Sequence, residues 1–286
     1  MRDPIIYSLI DNIQNTQGNK SSYWKKHLPE GIDITNENFF SLFGTYSKKT
    51  LKNNILDLFA AIIFNKNLFK KDLYKKYKTV YDYNFRKIDL DTIKHIFTFE
   101  KIQNYLQPKK ICIIGDGKIN GILGAYLQFP NAKIYSINLS EVLINDYIIL
   151  KKTNIDLKNQ VELVDSISFR EEKKLTLIPS NLKNFLLKKN IDLFINIASF
   201  QEMTVNEIQS YFEIISQNKA KLYCCNREYK KLYGGEEIFF DKYPFSNSKI
   251  LFWENCPWYK KWYSIRPPFI HDYEGIVKHC LVDFSY

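Results

Sequence analysis

The sequence predicts an α/β fold: a mainly parallel sheet with helices on both faces, a C-terminal antiparallel strand and a helical region in front. Three observations carry this. From Lys110 onward, short runs rich in β-branched and aromatic residues alternate with helical stretches, the pattern of strand-helix-strand units. The first run ends in IIGDGKING, which places three of the chain's ten glycines between Ile113 and Gly121, where such folds turn from strand into helix. Before Lys110 the apolar residues recur at helical spacing and no strand pattern is evident.

The helical region comes first. In KTLKNNILDLFAAIIF the apolar set Leu51, Ile55, Leu58, Phe59, Ile62 and Ile63 marks one helix face, and Phe69, Leu73, Tyr77 and Val80 mark a second. A third helix is expected over Thr92 to Leu106, stopping before Pro108. Residues 1–107 therefore read as an N-terminal helical region serving as lid, cap or dimerisation surface, and residues 108–286 as the sheet domain.

In that domain the predicted strands are KICIIG (110–115), AKIYSIN (132–138), QVELVD (160–165), IDLFINIA (191–198) and KLYCCN (221–226). The clearest helices between them are SEVLINDYIILKK and TVNEIQSYFEIISQ. The latter opens with Thr204 and Glu207 in capping-box spacing. KILFWENCPW and GIVKHCLVDF then supply a terminal antiparallel pair.

Composition narrows the function. The chain has 286 residues, of which 45% are apolar and 16% aromatic, enough to fill a large core. Its longest apolar stretches fall well short of the roughly 20 residues a membrane span needs. The start, MRDPIIYSLIDN, lacks the marks of a signal peptide, so a cytoplasmic location is expected. Five cysteines without a CxxC pair suggest buried thiols and no zinc site. The net charge of +10 is spread over helix faces such as LFKKDLYKKYK, which argues against a nucleic-acid partner. An acidic partner, peripheral membrane association and a homo-oligomer stay open.

The glycine turn suggests a cofactor, because helix N-terminal amides and a close backbone together accept anionic or polar groups. The dinucleotide fingerprint GxGxxG would need glycine at 120, where this chain has Asn120, and no GK[ST] follows to make a phosphate loop. Gly115-x-Gly117-x-x-x-Gly121 resembles the first motif of S-adenosylmethionine-dependent methyltransferases. Ligands of open parallel sheets lie beyond the carboxyl ends of the strands, and those ends are polar here. They carry Asn138, Asp165 with Ser166, Ser199 with Gln201 and Glu202, and Asn226 with Arg227.

The sequence is similar to the sugar O-methyltransferase family found with bacterial surface-polysaccharide genes. IIGDGKINGILG, INLSEVLI, DLFINIASFQEMT, YCCNREYKKLYGGEEIFFDKYPF and ILFWENCPWYKKWYSIRPPF carry the resemblance, with HDYEG behind them and a fainter match at SSYWKKH, Ser21 to His27. The resemblance implies a Rossmann-like core, S-adenosylmethionine as donor and a sugar, nucleotide-sugar or glycan hydroxyl as acceptor in capsule or lipopolysaccharide synthesis. It departs from common methyltransferase patterns at Ile113, where an acidic residue is frequent, and at Asn138, where Asp or Glu is frequent.

On this reading Gly115, Asp116, Gly117, Asn138, Leu139, Asp165, Ser166 and Ser199 hold the cofactor, with Asn138 at the ribose and Asp165 or Ser166 at the adenine edge. Methyl transfer needs a collinear arrangement and a proton acceptor. Glu202 is the first candidate base and His271 the rival. Gln201, Asn226, Arg227, Trp258, Trp262 and Arg266 are candidate acceptor contacts, because flat rings suit sugar faces and guanidinium groups suit phosphates. No histidine spacing suggests a metal, so metal independence is expected. Two alternatives remain: an NAD(P)-dependent oxidoreductase, although TyrxxxLys occurs only upstream of the sheet, as at Tyr74 to Lys78, and a catalytically inactive methyltransferase-like binding module.

Overall fold

In the central strands, successive residues feed two different apolar clusters: Ile111 and Ile113 enter one, Cys112 and Ile114 the other. A strand buried on both faces reads as a continuous apolar run and needs a layer of helices on each side. A computed structural model describes residues 3–16, 20–28, 59–64, 66–83, 87–166, 169, 171–187, 189–264 and 266–286. Most of the predicted helix at 49–64 lies outside the described residues; its final part, 59–64, is helical.

The helices are α1 (Pro4–Thr16), α2 (Ser22–His27), α3 (Asp72–Tyr83), α4 (Leu90–Gln103), α5 (Asn120–Gln128), α6 (Ser140–Lys151) and α7 (Val205–Gln217). The main strands are β1 (Lys110–Ile114), β2 (Lys133–Asn138), β3 (Val161–Leu163), β4 (Leu175–Pro179), β5 (Leu193–Ile197) and β6 (Lys221–Arg227). Then come a hairpin, β7 (Tyr229–Lys231) with β8 (Glu237–Phe239), strand β9 (Lys249–Asn255), a second hairpin, β10 (Lys261–Tyr263) with β11 (Ile270–Asp272), and β12 (Val277–Asp283).

The main sheet has eight strands in the order β3-β4-β2-β1-β5-β6-β12-β9. All neighbours are parallel except that β12 runs against both β6 and β9. The expected α/β class and the C-terminal antiparallel pair are thus present. The chain reverses its direction across the sheet at β1: β2 lies on one side and β5 on the other, which opens a crevice at their carboxyl ends.

One strand was not predicted. Leu175–Pro179, fully buried, lies next to β2, and the expected third strand at 160–165 is reduced to a three-residue, half-buried edge strand. LTLIP is a short apolar run ended by proline, which periodicity alone does not distinguish from a loop.

The N-terminal helices join the core directly. Leu9 of α1, Tyr77 and Val80 of α3, and Ile93, Ile96 and Phe99 of α4 belong to the same apolar cluster as Ile113, Leu123 and Ile195. Asp89 caps α4, accepting from the Thr92 amide at 2.8 Å, so this helix begins two residues before the expected Thr92. Thr204 caps α7 by accepting from the Glu207 amide, while the Glu207 carboxylate pairs with Lys183 at 2.6 Å. The opposite face of the sheet is covered by α7 and the 3-10 segment Ser180–Leu186, through residues such as Phe185, Ile208 and Phe212. All five cysteines are free and buried. No helix among the described residues is long and apolar enough to cross a membrane.

Gly124 sets how closely α4 approaches α5. A Cβ there would lie 2.1 Å from the Phe99 ring and 2.7 Å from the Tyr77 hydroxyl, so only hydrogen fits between the layers. Gly124→Val should therefore lower stability by about 1–3 kcal/mol or more, read as a reduced midpoint in urea unfolding. An unchanged midpoint would contradict this contact.

Candidate functional site

The turn after β1 is shaped by one contact. Gly115 has φ +77°, and a Cβ on it would sit 1.9 Å from Ser199 Oγ, so both backbone angle and space demand glycine. Gly117 has φ +78° but only Val142 Cγ1 near its Cβ position, at 3.8 Å; its requirement is conformational. Two non-glycine residues share the left-handed region at the same end of the sheet, Ile119 at +56° and Ala198 at +58°. Backbone strain of this kind collects at functional turns.

The remaining residues of the motif serve the fold. Asp116 turns back onto α5, accepting from the Gly121 amide at 2.9 Å and the Ile122 amide at 2.7 Å, which satisfies orphan helix donors. Asn120, which stands where the dinucleotide fingerprint has glycine, is buried. Its Oδ1 accepts from the hydroxyls of Tyr81 at 2.5 Å and Thr92 at 3.3 Å, and its carbonyl accepts from Tyr77 at 2.5 Å. It ties α3 and α4 to the glycine turn.

The turn after β5 is locked by a buried amide chain. Asn196 donates to the Ile114 carbonyl at 3.2 Å, and its Oδ1 accepts from the Phe200 amide at 3.1 Å and from Asn226 Nδ2 at 2.9 Å. Asn226 Oδ1 accepts from the Gln201 amide, and Gln201 Oε1 accepts from the Arg227 amide at 2.7 Å. Asn226 and the side-chain oxygen of Gln201, both expected at the acceptor, are engaged in this internal network.

Next to Ser199, which packs on Gly115, and beyond the ends of β2, β4 and β5, lies a cleft of about 220 Å³. Asn138, Leu139 and Ser199 line it, as expected. Gly115, Asp116 and Gly117 of the glycine turn are not in its lining, Gly115 packing behind Ser199 and Asp116 turned onto α5, and neither are Asp165 and Ser166; Ser180 and Asn181 occupy the strand-end position given to the last two, because β4 and not β3 is the neighbour of β2. Lys183, Asn184, Glu207 and Tyr211 complete one wall and Met203 another. The sequence reading missed these residues; recognition of the LTLIP strand would have pointed to Ser180 and Asn181.

The last wall comes from the N-terminal segment. Lys20, Ser21 and Trp24 face the cleft, carried by a strap, residues 20–28, that contains α2. Lys20 pairs with the buried Glu141, and the Ser21 hydroxyl donates to the Glu202 carbonyl. Ser22 donates to Glu236 at 2.7 Å and accepts from the Gly234 amide at 2.9 Å. Tyr23 stacks on Tyr233 of the β7–β8 hairpin at 6.0 Å between ring centres. The fainter SSYWKKH match was the one signal for this wall.

Glu202 lies under the strap, outside the cleft lining. Its carboxylate pairs with Lys230 at 3.1 Å, and the same ammonium lies 4.4 Å from the centre of the Tyr23 ring. Burial pushes its pKa above the usual carboxylate range, against the opposing pull of Lys230, Tyr23 and Arg227. The same burial, with Glu202 beside it, pushes the Tyr23 phenol upward.

A second, more open cleft adjoins the β10–β11 hairpin and holds Arg227, Trp262, His271 and Tyr273. Trp262, 39% exposed, stacks on His271 with ring centres 4.2 Å apart, and Ser264 lies 3.1 Å from His271 Nε2. Arg227 lies over the Tyr273 ring. The structure thus brings Arg227, Trp262 and His271 together. It separates them from Trp258, a buried ring stacked on Phe97 at 5.8 Å, while Arg266, exposed in the turn of the same hairpin and bonded through its backbone to Ser264, lines neither cleft. Among the described residues no group of three or more His, Cys, Asp or Glu side chains could hold a metal ion.

No protein-family model matches the chain, and no curated protein matches it. Solved structures of similar outline include the methyltransferase domain of bacterial CtHen1, at 14% identity over 68% of this chain and 100% of that one, TM-score 0.40. The mitomycin 7-O-methyltransferase MmcR matches at 10% identity over 98% of this chain and 68% of its own, TM-score 0.40. The plantazolicin methyltransferase BpumL in complex with SAH matches at 14% identity over 81% and 97%, TM-score 0.40. These are loose likenesses, and the activity has to be argued from the site itself.

Asn120 offers a direct check of the site's construction. Asn120→Gly restores the dinucleotide spacing yet removes the acceptor shared by Tyr81 and Thr92, and should cost about 1–3 kcal/mol of stability in chemical unfolding. Equal or greater stability would contradict its anchoring role.

Proposed function

We propose that this chain is an S-adenosylmethionine-dependent O-methyltransferase acting on a sugar hydroxyl, free, nucleotide-linked or within a glycan of a bacterial surface polysaccharide. The observation that carries the reading is the cleft at the point where the strand order reverses, walled by the turns after β2, β4 and β5 beside Gly115. The reversed strand β12, set between β6 and β9, agrees with the family resemblance. It departs from the all-parallel 3-2-1-4-5-6 sheet of nicotinamide-binding domains, and Asn120 is committed to the helices instead of being a third motif glycine.

The cleft suits a nucleoside with a polar tail. Ile137, Leu139, Trp24 and Met203 offer apolar surface for a flat base, and Ser180, Asn181, Asn138 and Ser199 offer hydrogen-bonding groups around it. Asn138 Oδ1 already accepts from the Leu139 amide at 2.9 Å, which leaves the amide nitrogen as donor to a ribose oxygen. Ser180 or Asn181 takes the base edge, and the turn from Ser199 to Met203 takes the amino-acid end. Bound there, S-adenosylmethionine supplies a methyl group on a sulfonium leaving group.

The protein then has to position the acceptor and hold its proton. Trp262 with His271 gives a flat, half-exposed face for a sugar ring, and Arg227 gives a cation for a phosphate or hydroxyl nearby. Glu202, one short turn beyond Ser199, is the proton acceptor we assign. Burial raises the proton affinity of its carboxylate, the direction that strengthens a general base.

Calorimetric titration with S-adenosylhomocysteine, NADPH and NADH tests the reading. Micromolar binding of the first and none of the other two is expected; binding of a nicotinamide nucleotide in its place would overturn the assignment.

A further inference from the structure

An ion pair stands in the wall of the cleft itself. Lys183 and Glu207 both line it, and the Lys183 ammonium lies 2.6 Å from Glu207 Oε2. The two come from different elements: Lys183 from the 3-10 segment Ser180–Leu186 that follows β4, Glu207 from the first turn of α7. They keep 17% and 30% of their side-chain surface, so the pair is open to a ligand and is not sealed into the core.

Its place in the wall is fixed from both elements. Ser180, three residues before Lys183, and Thr204, three residues before Glu207, line the same cleft. Thr204 Oγ1 accepts from the Glu207 amide at 3.3 Å, and the buried Tyr211 ring, one turn further along α7, has its centre 5.1 Å from the Lys183 ammonium. These contacts hold a hydrogen-bond donor next to an acceptor. Each keeps capacity beyond the bond between them, because an ammonium has further protons and a carboxylate a second oxygen.

An adenine edge carries the complementary set: its amine donates, and the ring nitrogen N1 beside it accepts. Resting on the methyltransferase reading above, we infer that the Lys183–Glu207 pair reads the adenine of the cofactor, Glu207 accepting from the amine and Lys183 donating to N1, alongside the contact given to Ser180 or Asn181. Specificity then follows from what the pair refuses as much as from what it binds. Hypoxanthine has a carbonyl oxygen in place of the amine and a proton on N1, so the carboxylate would face an oxygen and the ammonium an N–H.

Calorimetric titration of the full chain with S-adenosylhomocysteine and with S-inosylhomocysteine tests this. Wild type should bind the adenosyl compound more tightly, on the order of tenfold to a hundredfold. Glu207→Gln keeps the side-chain shape but can turn either its oxygen or its nitrogen to the base, so the preference should fall to within about threefold. Lys183→Met keeps the stem and removes the donor. It too should cut the preference, and it decides the matter if Glu207→Gln does not fold.

A pair that serves only to hold α7 against the segment after β4 would, when broken, weaken both ligands alike. An unchanged ratio in the folded variants therefore overturns the proposal. Equal binding of the two compounds by wild type also overturns it, while leaving the cofactor assignment standing. Binding of neither compound by wild type would sink the methyltransferase reading, and this inference with it.

Discussion

The site depends on the contact between Gly115 and Ser199. Two adjacent strands, β1 and β5, end in turns that press together so closely that no side-chain carbon fits between them. Both turns contain left-handed backbone, at Gly115 and Gly117 on one side and Ala198 on the other. Such conformations persist only where the surroundings over-determine them. The buried Asn196–Asn226–Gln201 chain supplies that constraint beneath β5, and the Asp116 carboxylate supplies it beneath α5. The polar residues of the motif region thus hold a shape, and the shape presents Ser199 and Asn138 to the cleft.

A second consequence is the integration of the N-terminal helices. Gly124 brings Phe99 and Tyr77 onto α5, while Asn120 accepts from Tyr81 and Thr92. The packing of α3 and α4 and the geometry of the glycine turn are therefore mechanically joined. The strap extends the same logic: a segment distant in sequence finishes the cleft and is tied by Ser21 to the backbone of the turn after β5.

Much of this was legible in the sequence for definite physical reasons. Strands buried on both faces give continuous apolar runs, so β1, β2, β5 and β6 could be read directly, as could the glycine turn and the cap at Thr204. LTLIP was missed because a run of five residues, three aliphatics and a threonine ended by proline, is too short to show a period, and the polar strand end at the cleft is therefore Ser180 and Asn181, where Asp165 and Ser166 were expected. Polar strand ends could be recognised as polar, but not as inward-facing or outward-facing. Asn226 and Gln201 satisfy each other's turn, whereas Arg227 reaches the outer cleft. Among the aromatic residues, composition does not distinguish Trp258, buried against Phe97, from Trp262, exposed on His271.

The central claim is that the cleft beside Gly115 and Ser199, closed by the strap, is where the cofactor sits. A crystal structure of the protein with S-adenosylhomocysteine tests it most directly. The account predicts the adenosine moiety in that cleft, with the ribose within hydrogen-bond distance of Asn138, the base edge at Ser180 or Asn181, and Trp24 covering the ligand. Ligand density confined to the outer cleft at Arg227 and Trp262, or a bound ligand with the strap in no contact with it, would contradict the account.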